Sequence, residues 1–379
     1  MKTILQVIPS LGAGGAEQAC VDVTAGIKAA GFRAFVVSAG GPRVAEIEAN
    51  GGQHILLPVN SKNPAVMLAN ARWLSNFISA QDVDLVHARS RAPAWSTYLA
   101  TRLTPCAFVT TYHAAYKATS LLKTFYNGVM VRSDRVIAIS DFIARHIRNT
   151  YGVDKTVRTV PRGINLAIFS PVAVAESKRE ALRTAWGLGV EEKIILCPSR
   201  LSRIKGQKTL IEAIGLLKEV EPRFTVVILG DDQGRADYRH ELEALVESHG
   251  LVGRVKIFTH CDDMPAAYSL ASLVVAPSLV PEGFGRVPVE AMAMGVPVIA
   301  TDLGGYRETV RNGETGWLVH PNDPTKLADA ILQALHQTEE QRDRMRSEAL
   351  RTVREHYDTR KMVADTLAVY SELLYAKEP

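Results

Sequence analysis

The stretch Pro281–Gly305 reads PEGFGRVPVEAMAMGVPVIATDLGG, and the rest of the chain is organised around it. Leu273–Pro277 (LVVAP), just before it, is an apolar run of strand length. Glu282-Gly283-Phe284-Gly285 is a glycine-rich loop. Pro288 suits the first position of a helix, because its fixed φ fits there and its missing N–H is not needed. The helix is expected to run to about Met294, where Gly295 and Pro297 stop it. Val298–Thr301 then reads as a second strand, ending at Gly304-Gly305. Strand, loop, helix, strand makes a βαβ unit, with its loops at the carboxyl ends of the strands, where open α/β sheets bind ligands.

Two carboxylates, Glu282 and Glu290, sit eight residues apart in this stretch. Glu282 belongs to the loop and Glu290 to the first helical turn. Free amides at that turn and in the glycine loop make an anion site. A carboxylate beside it is suited to grip a vicinal diol by accepting two O–H bonds. The stretch therefore reads as a site for a phosphorylated sugar. The alternative is that Glu290 only caps its own helix.

At 379 residues, two domains are the natural count. The composition, 47% hydrophobic and 22% charged, is that of an ordinary globular protein. No apolar run approaches the roughly 18 residues a spanning helix needs. The start, MKTILQVIPSLGAGG, reads as a first strand and turn rather than a signal peptide. Cys20, Cys106, Cys197 and Cys261 lack metal or CxxC spacing, which points to reduced thiols in a cytosolic protein. Charge is uneven. Residues 1–165 carry 18 Lys and Arg against 9 Asp and Glu, and the remainder 26 against 31. A net +9 front half suggests an anionic partner for it: a membrane surface, a phosphorylated acceptor or nucleic acid.

The front half alternates strand patterns (Thr3–Ile8, Ala34–Ser38, His54–Leu57, Asp84–His87, Ala107–Thr111, Arg135–Ile139, Val157–Val160) with helix patterns (Ala16–Ala30, Pro64–Ser79, Pro93–Leu103, Asp141–Tyr151). That alternation predicts a parallel, doubly wound sheet. Gly163–Ser177 has no clear period and is expected to join the domains. A second series follows at Ile194–Cys197, Thr225–Leu229, Lys256–Phe258, Leu273–Ala276 and Val298–Thr301. From about Asp323 the chain is charged and helical. Two such domains put a cleft between two sets of strand ends.

Leu11–Glu17 (LGAGGAE) follows the first strand and superficially suggests a dinucleotide fingerprint. Its sixth position is Glu17, and the second strand ends in Ser38 and Gly40 rather than an acid, so nicotinamide binding is not expected. A tight glycine turn opening a helix remains. Ser199–Gly206 (SRLSRIKG) follows the strand Ile194–Cys197. Arg200 and Lys205 in it are placed to neutralise a diphosphate leaving group without a metal. His113, after Ala107–Thr111, is a candidate to bond a substrate hydroxyl or to act as an acid or base. Between Thr119 and Arg132 the residues Leu121, Leu122, Phe125, Tyr126, Val129 and Met130 form a helical stripe, opposite Lys117, Lys123 and Arg132. Packing on its own sheet is the expected use of the stripe, and resting on an anionic membrane the alternative.

Taken in order, these motifs resemble the retaining family-4 glycosyltransferases. Glu282 and Glu290 reproduce the E-x7-E signature, and Gly14-Gly15, His113, VPRGINLAI (Val160–Ile168), SRLSRIKG and the Gly304-Gly305 turn accompany it. The resemblance implies the GT-B fold: α/β, two Rossmann-like domains facing across a cleft. It implies an acceptor-side domain over 1–165, completed by a C-terminal helix at about 360–379, and a donor domain over 178–355. Arg200 and Lys205 would hold the diphosphate of a nucleotide-sugar donor, and Glu290 the ribose hydroxyls. Glu282 and the Gly283, Phe284 and Gly285 amides would contact the transferred sugar and nearby phosphate. Gly14 and Gly15 would approach the diphosphate, and His113 would lie near the sugar. Arg162 and Asn165 stand where the family often has Asn and Asp.

The implied activity is transfer of a hexose to a glycan or glycolipid acceptor, such as a lipopolysaccharide core, with retention and without metal or cofactor. No nucleic-acid partner is implied. The expected location is cytoplasmic, peripheral on the inner face of the membrane. A glycosidase, a nucleotide-sugar epimerase and a non-enzymatic anion- or membrane-binding module are the alternatives.

Overall fold

The computed structural model describes residues 1–117, 119–189, 192–221, 224–234 and 236–375. They divide into two units, one of Met1–Gly163 with the chain from Thr359, the other of Ile164–Asp358. The last residues of the expected C-terminal helix, 376–379, and Ala118 lie outside the described residues.

Unit 1 runs β1 (Thr3–Val7), α1 (Gly15–Ala29), β2 (Arg33–Ser38), α2 (Val44–Ala49), β3 (Gln53–Leu56), α3 (Pro64–Ala80), β4 (Leu85–Ala88), α4 (Arg91–Thr101), β5 (Ala107–Tyr112), α5 (Leu121–Asn127), β6 (Arg135–Ala138), α6 (Asp141–Tyr151) and β7 (Val157–Thr159). Its sheet has the order β3-β2-β1-β4-β5-β6-β7, and every pair is parallel. The order reverses between β1 and β4. Alternate side chains of β1 choose faces: Ile4 packs with Val23 and Ile27 of α1, while Leu5 and Val7 pack with Leu74 and Ile78 of α3.

Unit 2 runs α7 (Glu176–Ala185), β8 (Lys193–Pro198), α8 (Gln207–Leu217), β9 (Phe224–Leu229), α9 (Ala236–Ser248), β10 (Val255–Phe258), α10 (Met264–Leu270), β11 (Leu273–Ala276), α11 (Arg286–Ala293), β12 (Val298–Thr301), α12 (Tyr306–Thr309), β13 (Trp317–Val319), α13 (Pro324–Leu335) and α14 (Glu339–His356). Its parallel sheet has the order β10-β9-β8-β11-β12-β13, reversing between β8 and β11. Ile195 and Cys197 of β8 face a core built with α8, α9 and α13. The short edge strand β13, only three residues, went unrecognised in the sequence because it is too brief to show a period.

The segment expected to join the domains is ordered and belongs to unit 2 from Ile164 on. Ile164 N–H donates to Tyr357 O at 2.7 Å, Asn165 Oδ1 accepts from Ala167 N–H at 3.0 Å, and its last residues already lie in α7. The stripe over Thr119–Arg132 is not one helix. It breaks into α5 and a 3₁₀ turn at Gly128–Val131, in which Val129 and Met130 are buried. All four cysteines are free thiols. Burial pushes Cys20 up to about 11 and Cys197 up to about 12, which keeps both protonated and unreactive.

The closing helix α15 (Thr359–Leu374) lies against α1, where Met362, Val369 and Tyr370 join the core. Glu372 pins it to the sheet edge by accepting from Arg135 Nε and from both Arg158 Nε and Nη2, at 2.8–2.9 Å. Arg158, and then Arg135, hold the Glu372 carboxyl below its ordinary value. A depressed carboxyl stabilises the fold above its unfolded pKa and loses that contribution as pH falls through the folded one. Glu372→Gln is expected to cost roughly 1 kcal/mol at pH 7, as for partly exposed ion pairs. Urea unfolding should show the gap from wild type closing below about pH 4.

Candidate functional site

In unit 2 the loops that leave β8 and β11 flank the reversal of strand order, and the residues expected to carry chemistry stand on them. Gly206 ends the β8 loop with φ +73°, a conformation glycine adopts without steric cost. A Cβ on it would collide with the carbonyl oxygen of Pro277, so the two loops are in backbone contact. Leu279 N–H donates to Ile204 O at 2.8 Å and fastens them together. Lys205 Nζ then donates to Glu282 Oε1 at 2.6 Å. Ser278 Oγ donates to the same oxygen at 2.9 Å. Both side chains of the ion pair are largely buried, at 17% and 25% exposed. The β12 loop closes over the other side, with Gly305 N–H donating to Glu282 O at 2.8 Å.

Helix α11 begins at Arg286, not at Pro288. Pro288 is its third residue, a position whose N–H also has no intrahelical acceptor, so proline is equally tolerated there. Glu290 is consequently the fifth residue rather than part of the first turn. Its carboxylate does not reach back to cap the helix. Tyr268 O–H donates to Oε2 at 2.7 Å, and Arg286 donates to Oε1 at 2.6 and 3.1 Å. Burial and the Glu290 charge push the Tyr268 hydroxyl well up, so it remains a proton donor. Glu290 is thus a nearly buried carboxylate gripped from one side. A carboxylate offers about four acceptor positions, which leaves room for further donors.

Helix starts differ by position. α3, α5, α6, α10, α13 and α14 are capped by side chains of Asn63, Ser120, Ser140, Asp263, Asp323 and Thr338. α1, α8 and α11, which follow β1, β8 and β11, open on Gly14, Gly206 and Gly285 with no side-chain cap. Gly15 is the first residue of α1. The early amides of these three helices suit an anion.

Other expected residues fall elsewhere. Arg200 is exposed and donates to Gln233 Oε1 at 3.0 Å, on the loop after β9. Phe284 is buried with its ring edge-on to Tyr357, so it anchors the glycine loop while Gly283 and Gly285 flank it. In unit 1, His113 Nδ1 lies 2.8 Å from Arg162 Nη2. Burial first, then the Arg162 and Arg89 charges, lower His113 well below the ordinary imidazole value. Sequence reasoning passed over Tyr268, Ser278 and Arg162 as partners. Arg286 was legible as the i−4 neighbour of Glu290. The other contacts join residues distant in the chain and leave no local pattern. No cluster of three or more His, Cys, Asp or Glu placed to hold a metal occurs among the described residues.

Comparison with known proteins agrees with this geometry. Residues 13–168 match the family described as Glycosyltransferase Family 4, and residues 178–352 that described as Glycosyl transferases group 1. A crystal structure of a glycosyltransferase from Rickettsia africae is 34% identical with a TM-score of 0.91, over 100% of this chain and 99% of that one. Anabaena Alr3699/HepE, solved in complex with UDP and glucose, is 25% identical with a TM-score of 0.85, over 98% and 100%. The D-inositol 3-phosphate glycosyltransferase of Jonesia denitrificans is 33% identical over 248 residues, which are 64% of this chain and 58% of that relative. This chain belongs to the family-4 glycosyltransferases and has the GT-B fold.

Proposed function

We propose that the enzyme transfers a hexose from a nucleotide diphosphate sugar to a hydroxyl of an anionic glycan or glycolipid, retaining configuration at the anomeric carbon. The observation that carries this reading is the Lys205–Glu282 pair, set where the sheet of unit 2 reverses and between two helices that start uncapped. Lys205 and Arg200 take up negative charge as the diphosphate departs, so the reading assigns that task to side chains rather than to a metal ion. Glu282 orients sugar hydroxyls, and the Gly283–Gly285 backbone donates to sugar and phosphate. Glu290, held by Tyr268 and Arg286, accepts the ribose hydroxyls. In unit 1, Gly14 and Gly15 are the ligand-facing positions, and His113, held through Nδ1 by Arg162, lies near the sugar. The acceptor proton passes to an oxygen of the donor phosphate, which needs no protein nucleophile. The UDP complex of Alr3699/HepE supports a nucleotide donor.

The acceptor reading rests on unit 1. Between Asp84 and Asp134 the chain has six Lys and Arg and no acid. Leu121, Leu122 and Phe125 of α5 are 89%, 82% and 57% exposed, so this half of the stripe faces outward instead of packing on the sheet. Arg132 lies over the rings of Trp95, Tyr98 and Phe125 at 5.1–5.5 Å. Apolar tips ringed by cations suit the surface of an anionic bilayer. On this reading the enzyme works at the cytoplasmic face of the membrane, on an envelope glycolipid such as a lipopolysaccharide core. No described helix is long and apolar enough to cross a membrane.

Nucleotide diphosphate release from a panel of UDP-, GDP- and ADP-sugars identifies the donor. With that donor, Lys205→Met and Arg200→Met should each lower kcat on the order of 100-fold. Near wild-type turnover in both variants would reject the assignment. In co-sedimentation at low salt, the full chain should pellet with phosphatidylglycerol vesicles, and Leu122→Ser should weaken this. Absence of the wild-type protein from the pellet removes the membrane reading and leaves a water-soluble acceptor.

A further inference from the structure

Unit 1 has a cavity of about 20 Å³ lined by α1 and α15. Arg89, just past β4, is 3% exposed and lines it. Its Nε donates to Gln6 Oε1 at 2.8 Å. Gln6 is neutral and fully engaged, since its amide donates in turn to Cys20 O and Thr24 Oγ1. Nη2 of Arg89 is buried with no hydrogen-bond partner.

His113 lines the same cavity. Its Nδ1 faces Arg162 Nη2. A guanidinium can only donate, so Nδ1 accepts and the ring proton sits on Nε2. That Nε2–H is also buried without a partner. Two residues with orphaned donors therefore line one cavity, with Arg162 also in its wall.

The charges that act on His113 are Arg162 and Arg89, and those on His87 are Arg89 and His113. Among the described residues no carboxylate pairs with Arg89. Of the hydroxyls in the wall, Thr111 Oγ1 is engaged with His87 Nε2 and Thr366 Oγ1 donates to Met362 O. The remainder is apolar, with Val23, Ile137, Val160 and Met362 prominent. A buried charge is stable only when paired.

We propose that this cavity is a binding site for one monatomic anion of chloride size, held between Arg89 Nη2–H and His113 Nε2–H. The volume selects the class of guest. One water-sized particle needs roughly 10–15 Å³ in this measure, so the cavity takes a single such guest and excludes phosphate and carboxylates. A water molecule fits by size, but it supplies no charge and brings two hydrogens for which the wall offers few acceptors. The anion ties the end of β4 to the end of β5, and with it sets the ring of His113.

Crystals of the full chain grown with bromide in place of chloride test the site. An anomalous peak within hydrogen-bond reach of both Arg89 Nη2 and His113 Nε2 is expected. In solution, the thermal midpoint should rise with sodium chloride over sodium gluconate at equal ionic strength, by roughly 3 °C per tenfold beyond half-saturation. Arg89→Gln should abolish the difference between the salts. If that variant does not fold, the bromide map and the wild-type titration decide alone. A cavity without bromide, together with equal midpoints in the two salts, overturns the proposal and assigns a water to the space.

Discussion

A parallel sheet whose strand order reverses cannot cover the point of reversal with its own helices. The helices that follow the two central strands leave on opposite faces, and a gap opens between their first turns. In unit 2 those strands are β8 and β11, and in unit 1 they are β1 and β4. The consequences reach down to single residues. Gly206 must lack a Cβ because the β8 loop is pressed on the carbonyl of Pro277. The contact brings Lys205 to Glu282 from a position 77 residues away in the chain. A cation and a carboxylate in the same gap can address a diphosphate and a sugar, which is the chemistry of a glycosyl donor.

The starts of α1, α8 and α11 at the reversals open on glycine rather than on a capping side chain. A side-chain N-cap is worth about 1 kcal/mol, so its omission is a cost to be accounted for. α1, α8 and α11 omit it and follow strands at a reversal, although α2, α4, α7 and α12 lack a side-chain cap as well. Elsewhere Asn63, Ser140, Asp263 and Asp323 cap α3, α6, α10 and α13. A bound phosphate would satisfy amides that a Ser or Asp cap would occupy. Glycine at these starts leaves the amides free, and at Gly206 it also permits close backbone approach.

Periodicity and turn residues made the architecture legible. Alternating apolar runs and amphipathic helices gave the two parallel sheets, and the spacing of Glu282, Glu290 and the glycine pairs gave the family. What stayed hidden had no local signature. The start of α11 moved because proline fits any of the first helical positions, so Pro288 fixes that start only loosely. Tyr268 reaches Glu290 from another helix, which spacing along one helix does not show. The stripe at Thr119–Arg132 has the right period for a core helix, but Gly128 lies where it breaks, and only its second half is buried. Apolar period alone does not say which side of a helix meets protein.

The two units handle a buried cation in opposite ways. In unit 2, Lys205 is neutralised by Glu282, and Ser278 braces the same oxygen. An incoming phosphate must compete with that carboxylate for the ammonium, while the freed Glu282 can take sugar hydroxyls. Exchange of partners of like charge is nearly isoelectrostatic, so the site can be rigid before binding and still bind. In unit 1, Arg89 is bonded to neutral groups, Gln6 and Tyr370, and no carboxylate pairs with it among the described residues. The difference is one of pairing: a paired cation can wait for a ligand that comes and goes, whereas one without an acid, under α1 and α15, calls for a lasting counter-charge. In the proposed reading the same residue chemistry serves a substrate in one sheet and a structural ion in the other.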